Sequence, residues 1–348
     1  MKLFCSATSR KVRLIVVVIC SSITEVFAQD PQFSQFYANP IYTNPAFAGG
    51  STVGRGVMNY RSQWPGISGT FRTFTASYDE HYDIINGGIG IIVSGDEAGV
   101  GTLRTFSVSA MYSYQLIINK YVTIRAAIEG GFYQKAIDFS KLIFYDQIAK
   151  GRGIQASSKE LPPANPIYYP VVSTGFVVYT NYFYGGVALH NLNEPNVSFF
   201  PNAPLDPDKQ STASMHLKTR YTAHAGAIIP LIRSRDESKS SNLWPNILYM
   251  QQGGATETVA TQINLGMYYN KGPLVLGTYF RQNAQYNSDA IIFLVGFRLP
   301  KLRFGVSYDA TVSDARPGAR QSYEVSLAFE LRKRAHKKTF RNIRCPEF

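Results

Sequence analysis

The sequence predicts an all-β protein, a transmembrane antiparallel β-barrel of about 14 strands with an irregular N-terminal segment and a basic C-terminal tail. The first observation is composition: 348 residues carry 23 Tyr, 22 Phe and 28 Gly but only 17% charged residues, a mix suited to short twisted strands and tight turns. The second is alternation. From Ser322 to Leu331, Tyr323, Val325, Leu327, Phe329 and Leu331 fall on one face, and Ser322, Glu324, Ser326, Ala328 and Glu330 fall on the other. A run of that length is about twice an ordinary soluble strand and matches the ~9–11 residues of a tilted membrane strand. The third observation is that nothing after residue 28 approaches the roughly 20 consecutive apolar residues of a spanning helix. Lipid satisfies no backbone hydrogen bond, so the closed barrel is the spanning solution left.

Residues 1–28 have the layout of a cleavable signal peptide. Lys2, Arg10, Lys11 and Arg13 come before or at the start of the apolar run Leu14 to Cys20, and the stretch ends in Val26-Phe27-Ala28. The mature chain is then expected to begin near Gln29. Cys5 and Cys20 leave with the signal, so only Cys345 remains and an internal disulfide or thiolate metal cluster is excluded. Residues 29–50 form a segment in which three of the prolines, Pro31, Pro40 and Pro45, prevent a regular element. Its aromatic side chains call for burial, against the periplasmic rim or in the barrel mouth, as a plug-like piece.

Residues 51–331 carry the alternating runs. Candidate strands lie near 54–61, 70–80, 87–94, 102–115, 121–135, 170–179, 182–190, 216–229, 243–251, 256–269, 273–281, 289–298, 301–310 and 321–331. In the run 105–116, Phe106, Val108, Ala110, Tyr112, Tyr114 and Leu116 oppose Thr105, Ser107, Ser109, Met111, Ser113 and Gln115. In 259–269, Gln262 and Asn264 face away from the apolar side, as a wet lumen requires. Pro245 sits awkwardly, because a proline belongs at the start or edge of a strand. The connections give an independent check, since bacterial barrels alternate short periplasmic turns with long outer loops. With a periplasmic N-terminus, the tight links at 118–120, 180–182, 270–272 and 299–301 all fall on one side, and the long links 136–169 and 191–215 fall on the other. The Ser-, Lys- and Arg-rich stretch 232–242 is long for a periplasmic turn, and reads either as a docking loop or as a solvated insertion.

The tail, residues 332–348, holds seven cations between Arg332 and Arg344 and no acid in that stretch. The formal charge of +12 falls to +9 once the signal's four bases and Glu25 are removed, so the barrel itself is nearly neutral. A basic tail in the periplasm suits an acidic partner or anionic lipid headgroups, or is simply solvated. No nucleic-acid fold accompanies the charge.

Three blocks carry a resemblance. Asp30-Pro31-Gln32-Phe33-Ser34-Gln35-Phe36-Tyr37, followed by Asn44-Pro45-Ala46-Phe47-Ala48-Gly49, is similar to the start of PorP/SprF proteins of the Bacteroidota. Tyr60-Arg61-Ser62-Gln63-Trp64-Pro65 resembles that family's Y-R-x-Q-W-P, and Arg344-Cys345-Pro346-Glu347-Phe348 resembles its R-C-P-x-F ending. The resemblance implies an outer-membrane component of the type IX secretion and gliding machinery. Such a component acts by protein–protein binding in the secretion or surface anchoring of a cognate adhesin-like protein recognised by its C-terminal domain, beside periplasmic secretion components and outer-membrane lipid. The motif residues Pro31, Phe33, Gln35, Tyr37, Asn44, Pro45, Phe47, Gly49, Tyr60, Arg61, Gln63, Trp64, Pro65, Cys345 and Pro346 are then expected to be either partner contacts or architecture. Asn44-Pro45 is also a turn signal, and Trp64-Pro65 suits an interfacial anchor.

The competing reading is a passive diffusion porin or small-solute transporter, which the polar lumen permits. A TonB-dependent transporter needs a 22-stranded barrel and separate plug, which is too much for this chain. For an enzyme, the densest titratable cluster is Asp79-Glu80-His81-Tyr82-Asp83, placed by parity on a periplasmic hairpin where charge keeps a turn in water. His190, His216 and His224 lie in no metal or nucleophile motif. Gly87-Gly88-Ile89-Gly90 reads as hairpin and strand glycines, since no helix follows to make a phosphate cradle. No catalytic residue, cofactor or metal is expected.

Overall fold

The computed structural model describes residues 30–51, 53–66, 69, 71–99, 103–142, 148–149, 153–154, 165–199, 215–233, 240–253, 259–283, 288–313 and 321–331. Residues 1–28, expected to be a signal peptide, and the basic tail with Cys345 and Pro346 lie outside them.

The wall is a closed antiparallel barrel of 14 staves. They are β1 (Gly54–Gln63), β2 (Phe71–Tyr82), β3 (Gly87–Ala98), β4 (Leu103–Ile117), β5 (Thr123–Ile137), β6 (Ile167–Tyr179) and β7 (Phe183–His190), then β8 (Arg220–Ala227, resumed at Ile229–Ile232). The circuit continues with β9 (Ser241–Gln252), β10 (Ala260–Lys271), β11 (Leu274–Gln282), β12 (Ser288–Arg298), β13 (Leu302–Thr311) and β14 (Gln321–Leu331). Each pairs with its sequence neighbours, and β1 pairs with β14 from Gly54↔Leu331 to Gln63↔Ser322. Closure leaves no strand edge facing lipid, the condition for a sheet to span a bilayer. A two-residue ribbon, Ile148–Ala149 with Gly153–Ile154, stands apart in the link after β5.

Each expected strand is present, and the alternation points as the sequence requires. Along β4, Ser107, Ser109, Met111 and Ser113 face inward and are buried, while Phe106, Val108, Tyr112 and Tyr114 face outward and are exposed. Gln262 and Asn264 of β10 likewise face the interior. The exposed apolar side chains form the outer band of a membrane barrel, and Tyr82, Tyr121, Tyr182 and Phe183 gather at one rim where amphipathic rings suit the headgroup level.

That rim is the short-turn end. The Ile118 and Thr180 N–H groups donate to Val122 and Phe183 across two of its turns, and Leu299 N–H to Leu302 across a third. The longer links 138–166 and 191–219 fall at the opposite, long-loop end, so the parity read from the sequence holds. Residues 234–239 of the atypical link after β8 lie outside the described residues.

Pro245 is not at the start of its strand. It lies inside β9, opposite Met267 of β10, and β8 is interrupted at Ile228 beside it. Ile228 N–H donates to Tyr182 O, continuing the register of Ala227↔Phe183 with β7. The ladder thus breaks beside the residue that has no N–H to contribute, with the register unchanged from Gly226↔Asn246 to Ile229↔Leu243 and the bulge further on, between Pro230 and Ile232.

Candidate functional site

The barrel is not empty. Residues 30–50 enter at the long-loop end, run down the lumen as two 3₁₀ turns, Phe36–Ala38 and Pro45–Phe47, around the short helix Pro40–Thr43, and leave at the short-turn end to begin β1. From Phe33 to Gly49 every residue except Tyr42 is buried. The segment occupies more than a rim or a mouth. Its two ends lie at opposite ends of the barrel: Gly49 at the short-turn end, where β14 finishes, and Asp30 at the long-loop end.

At the long-loop end Asp30 is the anchor. Its carboxylate lies 3.2 Å from Arg220 Nη1 at the start of β8 and accepts from Asn191 Nδ2 at 2.9 Å, while its N–H donates to Gln252 Oε1 at 3.0 Å. Tyr42 folds back beneath it, donating to the Pro31 carbonyl at 2.5 Å, meeting Phe33 edge-on at 5.0 Å and lying 5.2 Å below the Arg220 guanidinium.

One turn further in, four charges from four strands meet the motif. Arg61 of β1 is 2.9 Å from Asp309 of β13 and 3.3 Å from Glu324 of β14, and Arg281 of β11 reaches Asp309 at 3.1 Å. Both acids are sealed from solvent. The segment adds donors to both acids: Ser34 N–H donates to Glu324 at 2.7 Å, Ser34 Oγ to Asp309 Oδ2 at 2.6 Å, and Gln35 N–H to Glu324 at 3.1 Å, while Asp309 Oδ1 is left without a hydrogen bond among the described residues. Gln35 Nε2 donates to Ser307 Oγ at 3.1 Å and to the Glu324 carbonyl at 3.0 Å, and its Oε1 accepts from Ser326 Oγ at 2.7 Å. Two buried cations against two buried anions cancel, and hydrogen bonding of the surplus lone pairs is what makes such a cluster tolerable.

Below the charges lies an aromatic floor. Tyr37 stacks on Tyr279 at 5.7 Å and tilts against Tyr268 at 5.2 Å, and Trp244 stacks on the far side of Tyr268 at 5.3 Å. Phe36 meets Tyr279 edge-on. Asn44 then reads the wall backbone. Its Nδ2 donates to Val187 O at 3.0 Å and Phe176 O at 3.3 Å, and sits 3.1 Å from His224 Nε2, while its Oδ1 caps the next turn through Ala46 N–H. Pro45 starts that turn, where a missing N–H costs nothing, and Phe47 packs against His224 and Tyr179.

At the exit, Arg125 of β5 donates to Ala48 O at 2.6 Å and Gly49 O at 2.7 Å, and Gly49 N–H donates to Asp79, itself paired with Arg55 at 2.9 Å. Gly49 has φ +66°, and a Cβ on Gly88 of β3 would stand 2.4 Å from Ala48 O and 2.5 Å from Gly49 Cα. The glycines of β3 serve close approach of two backbones here, more than a hairpin. Asp79 is likewise a buried anchor and not a solvated turn charge. The cluster expected as a unit is divided: Glu80 points outward to accept from the Tyr78 and Tyr82 hydroxyls, and His81 points inward.

Of the second motif block, Tyr60 faces outward, Arg61 joins the charge cluster, Pro65 is exposed, and Gln63 and Trp64 line a cavity of about 510 Å³ above the segment at the long-loop end. Pro31 lines the same vestibule. Sequence reasoning missed Asp30, Asp79, Arg125, Arg220, Arg281, Asp309 and Glu324. The available signal was a charged residue on the inward phase of an alternating strand, as Glu324 is between Tyr323 and Val325. Among the described residues no group of three His, Cys, Asp or Glu side chains could hold a metal ion.

A search of curated proteins finds no match. Among solved structures, the chain is similar to the toluene transporter TbuX of Ralstonia pickettii (7% identity, 85% of this chain and 94% of that one, TM-score 0.47) and the toluene transporter TodX of Pseudomonas putida (10%, 88% and 98%, 0.45). It is also similar to the outer membrane protein Omp33 of Acinetobacter baumannii (8%, 81% and 100%, 0.42). A family model described as type IX secretion system membrane protein PorP/SprF matches residues 25–329, most of the chain. With the barrel and its threaded motif segment in view, the chain belongs to the PorP/SprF family of type IX secretion system outer-membrane proteins.

Proposed function

We propose that this protein works as an occupied barrel that binds a cognate secreted, adhesin-like protein through its C-terminal domain and supports that protein's secretion or retention at the surface. The observation that favours this over a diffusion pore is the lumen. A passive porin needs an unobstructed wet channel, whereas here a segment tied by Asp30, Ser34, Gln35, Asn44 and Gly49 runs from one end to the other. A wall held that rigidly from inside is a platform for loops, where binding usually resides.

In this reading the long-loop end faces the cell surface, and the short-turn end and basic tail face the periplasmic secretion components. Most motif residues, Phe33, Gln35, Tyr37, Asn44, Pro45, Phe47, Gly49 and Arg61, hold the segment. Pro31, Gln63 and Trp64 reach the vestibule and are the motif positions open to a partner. Cys345 and Pro346 belong to the periplasmic side with the tail.

The test is a detergent pull-down of the tagged protein from native outer membranes, with mass spectrometry of what accompanies it. The expected result is a large secreted protein retained through its C-terminal domain, together with periplasmic secretion components. A barrel that comes alone and conducts ions in a planar bilayer overturns the reading in favour of a porin.

A further inference from the structure

The vestibule at the long-loop end has the features of a built site. Its floor is the start of the N-terminal segment, where Asp30 is already satisfied by Arg220 and Asn191. Its walls hold two aromatic pairs. Tyr133 and Tyr169, directly opposite each other on β5 and β6, stack at 5.6 Å, and Trp64 meets Phe71 edge-on at 5.7 Å. Trp64 is held at φ +51°, a left-handed conformation that a bulky side chain rarely adopts and that persists only when the surroundings over-determine it.

Between the aromatic pairs, one inward row crosses the wall. Asp96 of β3 stands beside Thr105 of β4, which stands beside Lys135 of β5. Asp96 accepts from Thr73 Oγ1 at 2.7 Å. Lys135 is only 7% exposed and lines the vestibule. Among the described residues it makes no hydrogen bond and no ion pair. A lysine ammonium has three donors and nothing to accept with; the stem is buried, the tip opens onto the vestibule, and the Asp30 carboxylate acts on it from beyond hydrogen-bond reach. In the charge cluster one turn deeper, by contrast, every cation has found a carboxylate.

We propose that the vestibule is a ligand site for a carboxylate carried next to an aromatic group, with the carboxylate on Lys135 and the ring between the Tyr133–Tyr169 and Trp64–Phe71 pairs. The size fits, since ligand cavities run about 300–1,000 Å³ and combine apolar walls with a few placed polar groups. The chemistry can come from the carboxy-terminal end of a polypeptide or from a free aromatic acid, and the site's own features are common to both. It stands independently of the secretion reading, because it rests on this cavity and not on the partner.

Trp64 supplies the readout, as the chain has only two tryptophans and the other, Trp244, is buried against Tyr268 deeper in the lumen. The full-length protein in detergent, with Trp244→Phe to isolate the signal, is titrated with N-acetyl-Gly-Phe-Tyr, with its C-terminal amide, and with 3-(4-hydroxyphenyl)propanoate. The expected result is a saturable change in Trp64 emission with the acids, and at least about tenfold weaker binding of the amide, the equivalent of one charge-assisted hydrogen bond. Lys135→Met is expected to bring the acid down to the amide's affinity without affecting the amide. Tighter binding of the peptide acid than of the free acid assigns the site to a chain end, and equal binding assigns it to free acids. Equal affinity of acid and amide in the unsubstituted site, an unchanged acid affinity in Lys135→Met, or no response to any probe overturns the proposal.

Discussion

Arg61 touches acids from two other strands, and one of them, Asp309, is shared with Arg281. Removing a single member of such a set leaves the others charged and buried, which costs far more than the set itself contributes. Asp309→Ala leaves two guanidiniums short of their common partner and is expected to lower barrel stability by about 3–5 kcal/mol. The measurement is a urea titration of the heat-modifiable folded band, and an unchanged midpoint would show that the cluster is not holding the structure. At this scale the sequence was half legible. Alternation places Glu324 and Arg61 on the inward face, but which anion meets which cation depends on strands more than 200 residues apart in sequence. No local pattern encodes that. Asp79 misled for the opposite reason: its neighbours Glu80 and Asp83 made it look like part of a solvated turn, while the period of two sent it inward to Arg55 and Gly49.

At the scale of the element, the N-terminal segment was recognisable as irregular, because its prolines rule out a long helix or strand and leave single turns that begin at Pro40 and Pro45, and as buried, because its aromatic residues are too many for a solvated strap. Its course was not. Short-range signals define Asn44-Pro45 as a cap and turn, which it is, yet only the wall's geometry shows that Asn44 spends its amide on the backbones of β6 and β7. Deleting residues 30–48 is expected to turn a weakly conducting barrel into an open channel in a planar bilayer. If the intact protein already conducts as well as the deletion, the segment does not close the lumen. A gentler perturbation is available at the exit. Gly88→Val drives a side chain into the Ala48 and Gly49 backbones, which cannot yield as a side-chain end would. An overpacking cost of about 1–3 kcal/mol is expected, read in the same urea titration, and a neutral result would mean that the exit shifts freely. In β9, Pro245 was suspect by a sound rule, and the rule holds once the break in β8 beside it is known.

For the molecule as a whole, fourteen strands, their inward and outward faces and the two kinds of connection could all be read along the chain, because a membrane barrel repeats the same local constraint in every strand. What goes on inside the barrel repeats nothing, and so had to be seen. The threading gives an orientation experiment. If the long-loop end faces outward, an epitope placed just before Asp30 in the mature chain is labelled by antibody on intact cells, while one appended after Phe348 is labelled only after the outer membrane is opened. Labelling in the reverse order inverts the barrel, and labelling of both from outside contradicts the threading itself.

Ser34 and Gln35 hold Glu324, a residue 290 positions later in the chain. The segment that precedes β1 is therefore gripped by the last stave, and that same stave closes the seam with β1. Gripping and closing thus share one strand. A segment fixed at many levels of the lumen is expected to lie across the unfinished sheet before the seam zips, so that the sheet wraps around it as around a mandrel. In that order the thread and the last stave, 290 positions apart, have to meet before the barrel closes.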